Sequence, residues 1–324
     1  MNSNSAVKKN LIFADGGTKL GFGHLMRALN LSKILKIQSS SIFIFETLEQ
    51  KNFYKTHKVI CMQKNALPLM QYQLLIIDSK VNKTALILEL QDLVTKTLVI
   101  DNLVLPSHLY NFMALPSFFE NAIDRNFPLA YREKILLGPE YLILNPKIFD
   151  VKNNQRKEFI AISFGGSDPN NLTLFVLSLL KEHMSLVNVL VILGPGYKHD
   201  RSLIEKIINK KQILDNPLNL FEVFAKSFIV ITAFGVTLQE LFYLDIPAGI
   251  IANYQNDFDD FLRIENYYYN TKQKNPFYFF GTMQKINHDK VFEAIKSSMK
   301  AKQNFQLNKA YGSGWEGLRN KLLS

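Results

Sequence analysis

The chain has 324 residues, 47% of them hydrophobic and 20% charged, enough apolar side chains for two buried cores and a composition far from that of a disordered chain. Its formal net charge of +10 comes from lysines and arginines scattered singly or in small groups, which points to a solvated surface that draws in anionic ligands and argues against a dedicated nucleic-acid module. A single cysteine, Cys61, excludes an internal disulfide and any zinc site built on clustered cysteines, so a reducing cytoplasm is expected.

Along the chain, short β-branched or aromatic runs at 11–14, 41–45, 74–77 and 98–100 alternate with helical patterns at 24–35 and 84–93. Such alternation implies parallel strands with crossover helices. A polar, proline-bearing stretch at 145–158 (NPKIFDVKNNQRKE) reads as a linker. The pattern then restarts at 159–164, 188–193, 228–232 and 248–252, and the lysine-rich segment 287–324 is helix-like. Two α/β domains are therefore expected, 1–150 and 151–324, the second carrying the C-terminal helices. No apolar run reaches the roughly 18 residues of a membrane span. The most apolar region, 228–252, is broken by Glu240, Asp245 and Pro247, so no integral membrane segment is expected.

Three motifs carry the chemistry. In LIFADGGTKLGFGHLMRALNLSKIL a strand runs through four glycines, 16, 17, 21 and 23, into a helix whose spacing turns Leu25, Ala28, Leu29 and Leu35 toward the sheet. His24 then lies in the first helical turn at the carboxyl end of the first strand, where open α/β sheets bind ligands. The helix dipole disfavours the imidazolium there, so a neutral ring can act as a base; a capping or surface histidine is the plainer alternative. Arg27, one turn on, orders the loop or meets an anion. A dinucleotide fingerprint fits poorly, because Gly21-Phe22-Gly23 is followed by Leu25 and Met26 rather than by a third glycine, although Glu46 is a passable ribose acid.

FIAISFGGSDPNNLTLFVL repeats the strand, glycine loop and helix. Asp168 before Pro169 predicts an N-cap with proline at the first helical position, and the amides of Gly165, Gly166 and Ser167 suit an anion. A tight strand-to-helix turn accounts for the glycines equally well. In ITAFGVTLQELFYLDIPAGIIANYQND, Gly235 leads into a helix whose first-turn amides and Thr237 hydroxyl suit a phosphate. Glu240, one turn further, can accept both hydroxyls of a ribose. The same T-x-x-E spacing fits a capping box. Asn253 and Gln255 follow the next strand end, where their amides can read sugar substituents. The acidic run Asp257, Asp259 and Asp260 imitates a metal-binding D-x-D but reads more simply as an acid-rich helix start.

Taken together, DGGTKLGFGHLMRALNLS, GPEYLILNPKIF, ISFGGSDPNNLT and GVTLQELFYLDIP resemble the UDP-sugar hydrolases of pseudaminic acid biosynthesis (PseG) and the related SpsG-like proteins, members of the GT-B superfamily that includes MurG. The resemblance implies a GT-B fold, two Rossmann-like α/β domains with parallel sheets facing a central cleft. It implies His24 as the base, with Asp15, Gly21, Gly23 and Arg27 meeting the sugar or positioning the loop. It implies a nucleotide held by Gly166, Ser167, Asn171, Gly235, Thr237 and Glu240, with Asn253 and Gln255 near the sugar. Inverting hydrolysis of a UDP-linked diacetamido-trideoxyhexose follows, by a monomer without cofactor or metal. The chain departs from the family pattern at Lys80, where a tyrosine is usual, at Asp101-Asn102, and at Phe234, Gln239 and Tyr254-Gln255. Those changes leave open a GT-B glycosyltransferase and a non-catalytic nucleotide-sugar binding protein.

Overall fold

A computed structural model describes residues 9–17, 20–116, 134–151, 157–254, 256–272, 275–301 and 311–324. The chain divides into two compact units, residues 1–146 with 310–324, and residues 147–309.

The first unit runs β1 (Lys9–Ala14), α1 (Gly23–Ile34), β2 (Ser41–Ile44), α2 (Leu48–Thr56), β3 (Cys61–Met62), β4 (Tyr72–Asp78), α3 (Thr84–Leu90), β5 (Val94–Ile100), β6 (Phe112–Pro116) and β7 (Ile135–Gly138). Its sheet has the order β3-β2-β1-β4-β5-β6-β7, every neighbouring pair parallel. A parallel sheet covered on both faces must be apolar on both, which is why Leu11, Ile12, Phe13 and Ala14 are all fully buried. Ile12, Ala14, Leu74, Ile76, Leu98 and Ile100 pack on α1 through Leu25, Ala28, Leu29 and Leu35. Their alternates Leu11, Phe13, Leu75, Ile77 and Val99 pack on Ile87 and Leu90 of α3.

The second unit repeats the plan with β8 (Phe159–Ser163), α4 (Leu172–His183), β9 (Val189–Leu193), α5 (Arg201–Glu205), β10 (Ile213–Asp215), α6 (Leu220–Ala225), β11 (Ser227–Thr232), α7 (Val236–Tyr243), β12 (Ala248–Ala252), α8 (Asn256–Thr271), β13 (Phe277–Thr282), β14 (Lys285–Ile286) and α9 (His288–Lys300). Its order is β10-β9-β8-β11-β12-β13-β14, parallel except for the β13–β14 pair. In both sheets the strand order reverses beside the first strand, between β1 and β4 and between β8 and β11. Loops leaving the carboxyl ends of those strands are where this architecture binds ligands.

The division of the chain differs from the expected one at its end. The last helix, α10 (Gly314–Leu323), belongs to the first unit, not to the second domain as the lysine-rich tail suggested. Trp315, Leu318 and Leu322 complete the α1 side of the first core. The Trp315 indole Nε1 donates to the Tyr141 and Leu142 carbonyls at 3.1 and 3.2 Å, so this polar group is satisfied where it is buried. Of the expected linker, 146–150 forms a 3-10 turn with Ile148 buried, and 152–156 lie outside the described residues. Among the described residues no helix is long and apolar enough to cross a membrane.

Because Trp315 is fully buried, Trp315→Ala is expected to cost about 3–5 kcal/mol of unfolding free energy. Leu218→Ala, at a side chain 88% exposed, should stay within about 0.5 kcal/mol of the parent in the same urea titration.

Candidate active site

At the reversal point of the first sheet, α1 presents His24 and Arg27 three residues apart and so on one face, and β4 ends in Asp78. His24 Nδ1 lies 2.7 Å from Asp78 Oδ1. Arg27 grips the same carboxylate with both arms of its guanidinium, Nε to Oδ2 at 2.7 Å and Nη2 to Oδ1 at 2.6 Å. Arg27 Nη2 is also 3.1 Å from His24 Nδ1, but that nitrogen cannot both donate to the carboxylate and accept from the guanidinium. The shorter approach to a charged acceptor assigns the proton to Nδ1. Nε2 is left as the lone-pair nitrogen.

Burial works to raise the Asp78 carboxyl, but the Arg27 guanidinium, and after it His24, outweigh burial and hold the acid below the usual carboxylate range. Arg27 is likewise buried. Burial works to lower its guanidinium, and Asp78, with Asp101 Oδ2 at 3.5 Å from Nη1, holds it above its ordinary value. Arg27 is thus committed to two carboxylates, and its part is to order the site.

A second layer braces this cluster. The Asp15 carboxylate accepts from the buried Ser79 hydroxyl and lies 3.4 Å from Lys83 Nζ, which also reaches Glu46 at 3.1 Å and sits over the Phe13 ring. Asn102 donates to the Ser79 and Val81 carbonyls at 2.6 and 2.9 Å. Lys80 is mostly exposed, with Nζ 4.0 Å from Asp101. Of the four loop glycines, Gly16 has no room for a ligand, because a Cβ there would strike the Leu25 side chain. Gly21 and Gly23 face open space. Sequence pattern alone does not mark Asp78, Ser79 and Lys83 as site residues. The one signal in the chain is an acid ending an apolar run, IIDSK.

In the second unit the glycine loop after β8 differs from its expected form. Asp168 is not the N-cap, and Pro169 is not the first helical residue. The helix starts at Leu172, after Asn171 in a left-handed conformation. The Asp168 carboxylate reaches forward to accept from the Leu172 and Thr173 amides at 2.8 and 2.9 Å. Those two helix-terminal donors are therefore taken, and an anion here must use the loop amides of Gly166 and Ser167.

After β11, Gly235 precedes α7 and no side chain caps its first turn. Thr237 is the second helical residue, so the capping-box reading of Thr237 and Glu240 fails: among the described residues no hydrogen bond joins them. Glu240 is 7% exposed without a hydrogen-bonding partner among the described residues, and burial pushes its carboxyl up to about 8. Asn253 accepts from Asn170 Nδ2 at 3.0 Å. The Asn253 and Tyr254 amides donate to Asp257 at 2.7 and 3.0 Å, so the acidic run is an N-terminal helix device. Gln255 lies outside the described residues.

No protein-family model matches the chain. The chain is 28% identical over 281 residues to the uncharacterized protein MJ1062 of Methanocaldococcus jannaschii, covering 78% of this chain and 58% of that protein. It spans, then, less than two thirds of MJ1062. It is 22% identical over 268 residues to the spore coat polysaccharide biosynthesis protein SpsG of Bacillus subtilis, covering 76% of this chain and 77% of SpsG. Among solved structures, the spinosyn rhamnosyltransferase SpnG complexed with thymidine diphosphate aligns with a TM-score of 0.56 at 13% identity, covering 97% of this chain and 96% of that one. The chain has two Rossmann-like units, the fold of the GT-B architecture, and is similar in sequence to SpsG.

Glu240 generates a prediction about pH. Its carboxyl rises from 4.5 to about 8 on folding, so between those values the folded chain holds more of this proton than the unfolded chain. This contribution to stability is complete below the lower value and is lost as pH rises through the upper one. Glu240→Gln should therefore be more stable than the parent by about 3–5 kcal/mol at pH 9, the gap shrinking below about 1 kcal/mol at pH 5. Urea titrations of both proteins at the two pH values measure it.

Proposed function

We propose that the chain transfers a glycosyl group from a UDP-sugar to a hydroxyl oxygen, with His24 as the general base. The observation that carries this reading is the Asp78 carboxylate bonded at once to His24 Nδ1 and Arg27. It holds the proton on one imidazole nitrogen and leaves the other to accept. Nε2 takes the proton of the attacking hydroxyl, the new C1–O bond forms on one face of the sugar, and the bond to the β-phosphate oxygen breaks on the other, with inversion. UDP leaves with the bonding pair, and the imidazolium is stabilised by Asp78 until it returns its proton to solvent.

The nucleotide is assigned to the second unit. The uncapped first turn of α7 and the Thr237 hydroxyl meet the diphosphate as charge develops on it. The unpartnered Glu240 carboxyl meets the ribose hydroxyls. Gly166 and Ser167 of the loop after β8 add amide donors, and Asn171 and Asn253 flank them. Their arrival as a buried acid and free amides, each short of a partner, supports a ligand that supplies both a diol and an anion.

Two acceptors fit this chemistry. An alcohol, making the chain a glycosyltransferase, is favoured by the alignment with SpnG. Water, making it a hydrolase of a UDP-diacetamido-trideoxyhexose on a nonulosonic acid route, is favoured by the motif resemblance to PseG. A proton NMR time course with such UDP-sugars decides between them. Hydrolysis predicts UDP release and a single inverted anomer without any acceptor, whereas release only on adding an alcohol makes the chain a transferase. In either case His24→Ala should lower turnover about 10²–10⁴-fold with UDP affinity unchanged. Nucleotide binding with no turnover under any condition would overturn the reading.

A further inference from the structure

The glycine loop after β8 has an unusual backbone. Gly165, Asp168 and Asn171 all have positive φ, at +73, +44 and +52°, and left-handed conformations at two non-glycine residues cost energy that something nearby must offset. The segment after β9, Gly194 to Asp200, is what holds it. A Cβ on Gly194 would collide with the Gly165 carbonyl oxygen and the Gly166 Cα, so only glycine lets the two loops pack this closely. Gly196 N donates to the Gly166 carbonyl at 2.7 Å. His199 Nε2 lies 2.7 Å from the Asp168 carbonyl, an acceptor only, which fixes the proton on Nε2. The same carbonyl also receives the Asn171 amide at 3.0 Å. The Tyr197 hydroxyl donates to Asn171 Oδ1 at 3.0 Å. Burial, with Asp168 and Asp200 behind it, pushes the Tyr197 phenol up to about 12, so it remains a donor at any physiological pH.

These bonds share one consequence. The Gly166 and Asp168 carbonyls, whose dipoles would repel an anion, are turned toward donors of the neighbouring loop, and the open side of Gly165 has no atom within 4 Å of a Cβ position. A concave run of amides free of competing carbonyls is what an anion requires. We infer that Tyr197 and His199 are positioning residues that shape the loop Gly165–Asn171 for the diphosphate of a nucleotide, acting through Asn171 and Asp168 without touching the ligand themselves. The inference rests on the assignment of the nucleotide to the second unit.

The test is calorimetric titration of the full chain with UDP and, separately, with uridine. His199→Ala and Tyr197→Phe should each weaken UDP about five- to tenfold, the loss of one charge-positioning hydrogen bond, while uridine affinity is unchanged. His199→Gln, whose amide can still donate to the Asp168 carbonyl, should restore UDP binding to within about twofold of the parent. Equal losses for uridine and UDP would mean a general collapse of the unit and would overturn the inference, as would unchanged UDP affinity in His199→Ala and Tyr197→Phe. Failure of the parent chain itself to bind UDP removes the nucleotide assignment instead, so the two failures are told apart.

Discussion

The Asp78 carboxylate, buried at the end of a central strand, is the charge on which the first site turns. An ionised acid in that position costs several kcal/mol of lost hydration unless it is paired and hydrogen-bonded. Arg27 supplies the pairing with two parallel bonds, and His24 fills the remaining approach to Oδ1. Satisfying a buried charge and orienting an imidazole are therefore one event. Helical spacing makes it possible: residues 24 and 27 sit one turn apart on α1, whose other face is anchored by Leu25, Ala28 and Leu29 in the core.

The second unit has the same strand order and puts opposite chemistry at the same place. Its reversal point holds no ion pair among the described residues. It holds loop amides, a helix start without a cap, and Glu240, an acid that is buried like Asp78, though less completely, and has no counter-charge. The same class of side chain is thus held low in one unit and raised in the other, and the presence of a guanidinium is what separates them. The first unit pairs its buried acid, and the second leaves its own without a counter-charge.

Much of this architecture is legible in the chain. Strands buried on both faces announce themselves as unbroken apolar runs, so β1, β2, β4, β5, β8, β9, β11 and β12 are readable. Edge elements are not. β3 is Cys61–Met62 and β14 is Lys285–Ile286, too short for any periodicity. The starts of the helices that carry His24 and Glu240 are visible because glycines precede them. Their partners are not, because Asp78 lies 54 residues from His24, and only the folded sheet brings two strand ends together. Asp168 shows a subtler limit. Asp-Pro predicts a cap at the next residue, but a left-handed turn at 168 lets the carboxylate serve amides four and five residues on. Local pattern identifies the capping residue, and backbone conformation decides what it caps.

The return of the last helix to the first core has a consequence for how the chain comes into being. Trp315, Leu318 and Leu322 are the final apolar contribution to a sheet whose first strand starts at Lys9. The α1 side of that sheet lacks these three side chains until residues 315–322 have been made, after the whole of the second unit. The unit encoded in the middle can fold while the ribosome is still at work. The unit whose strands are made first is the one whose core closes after the other.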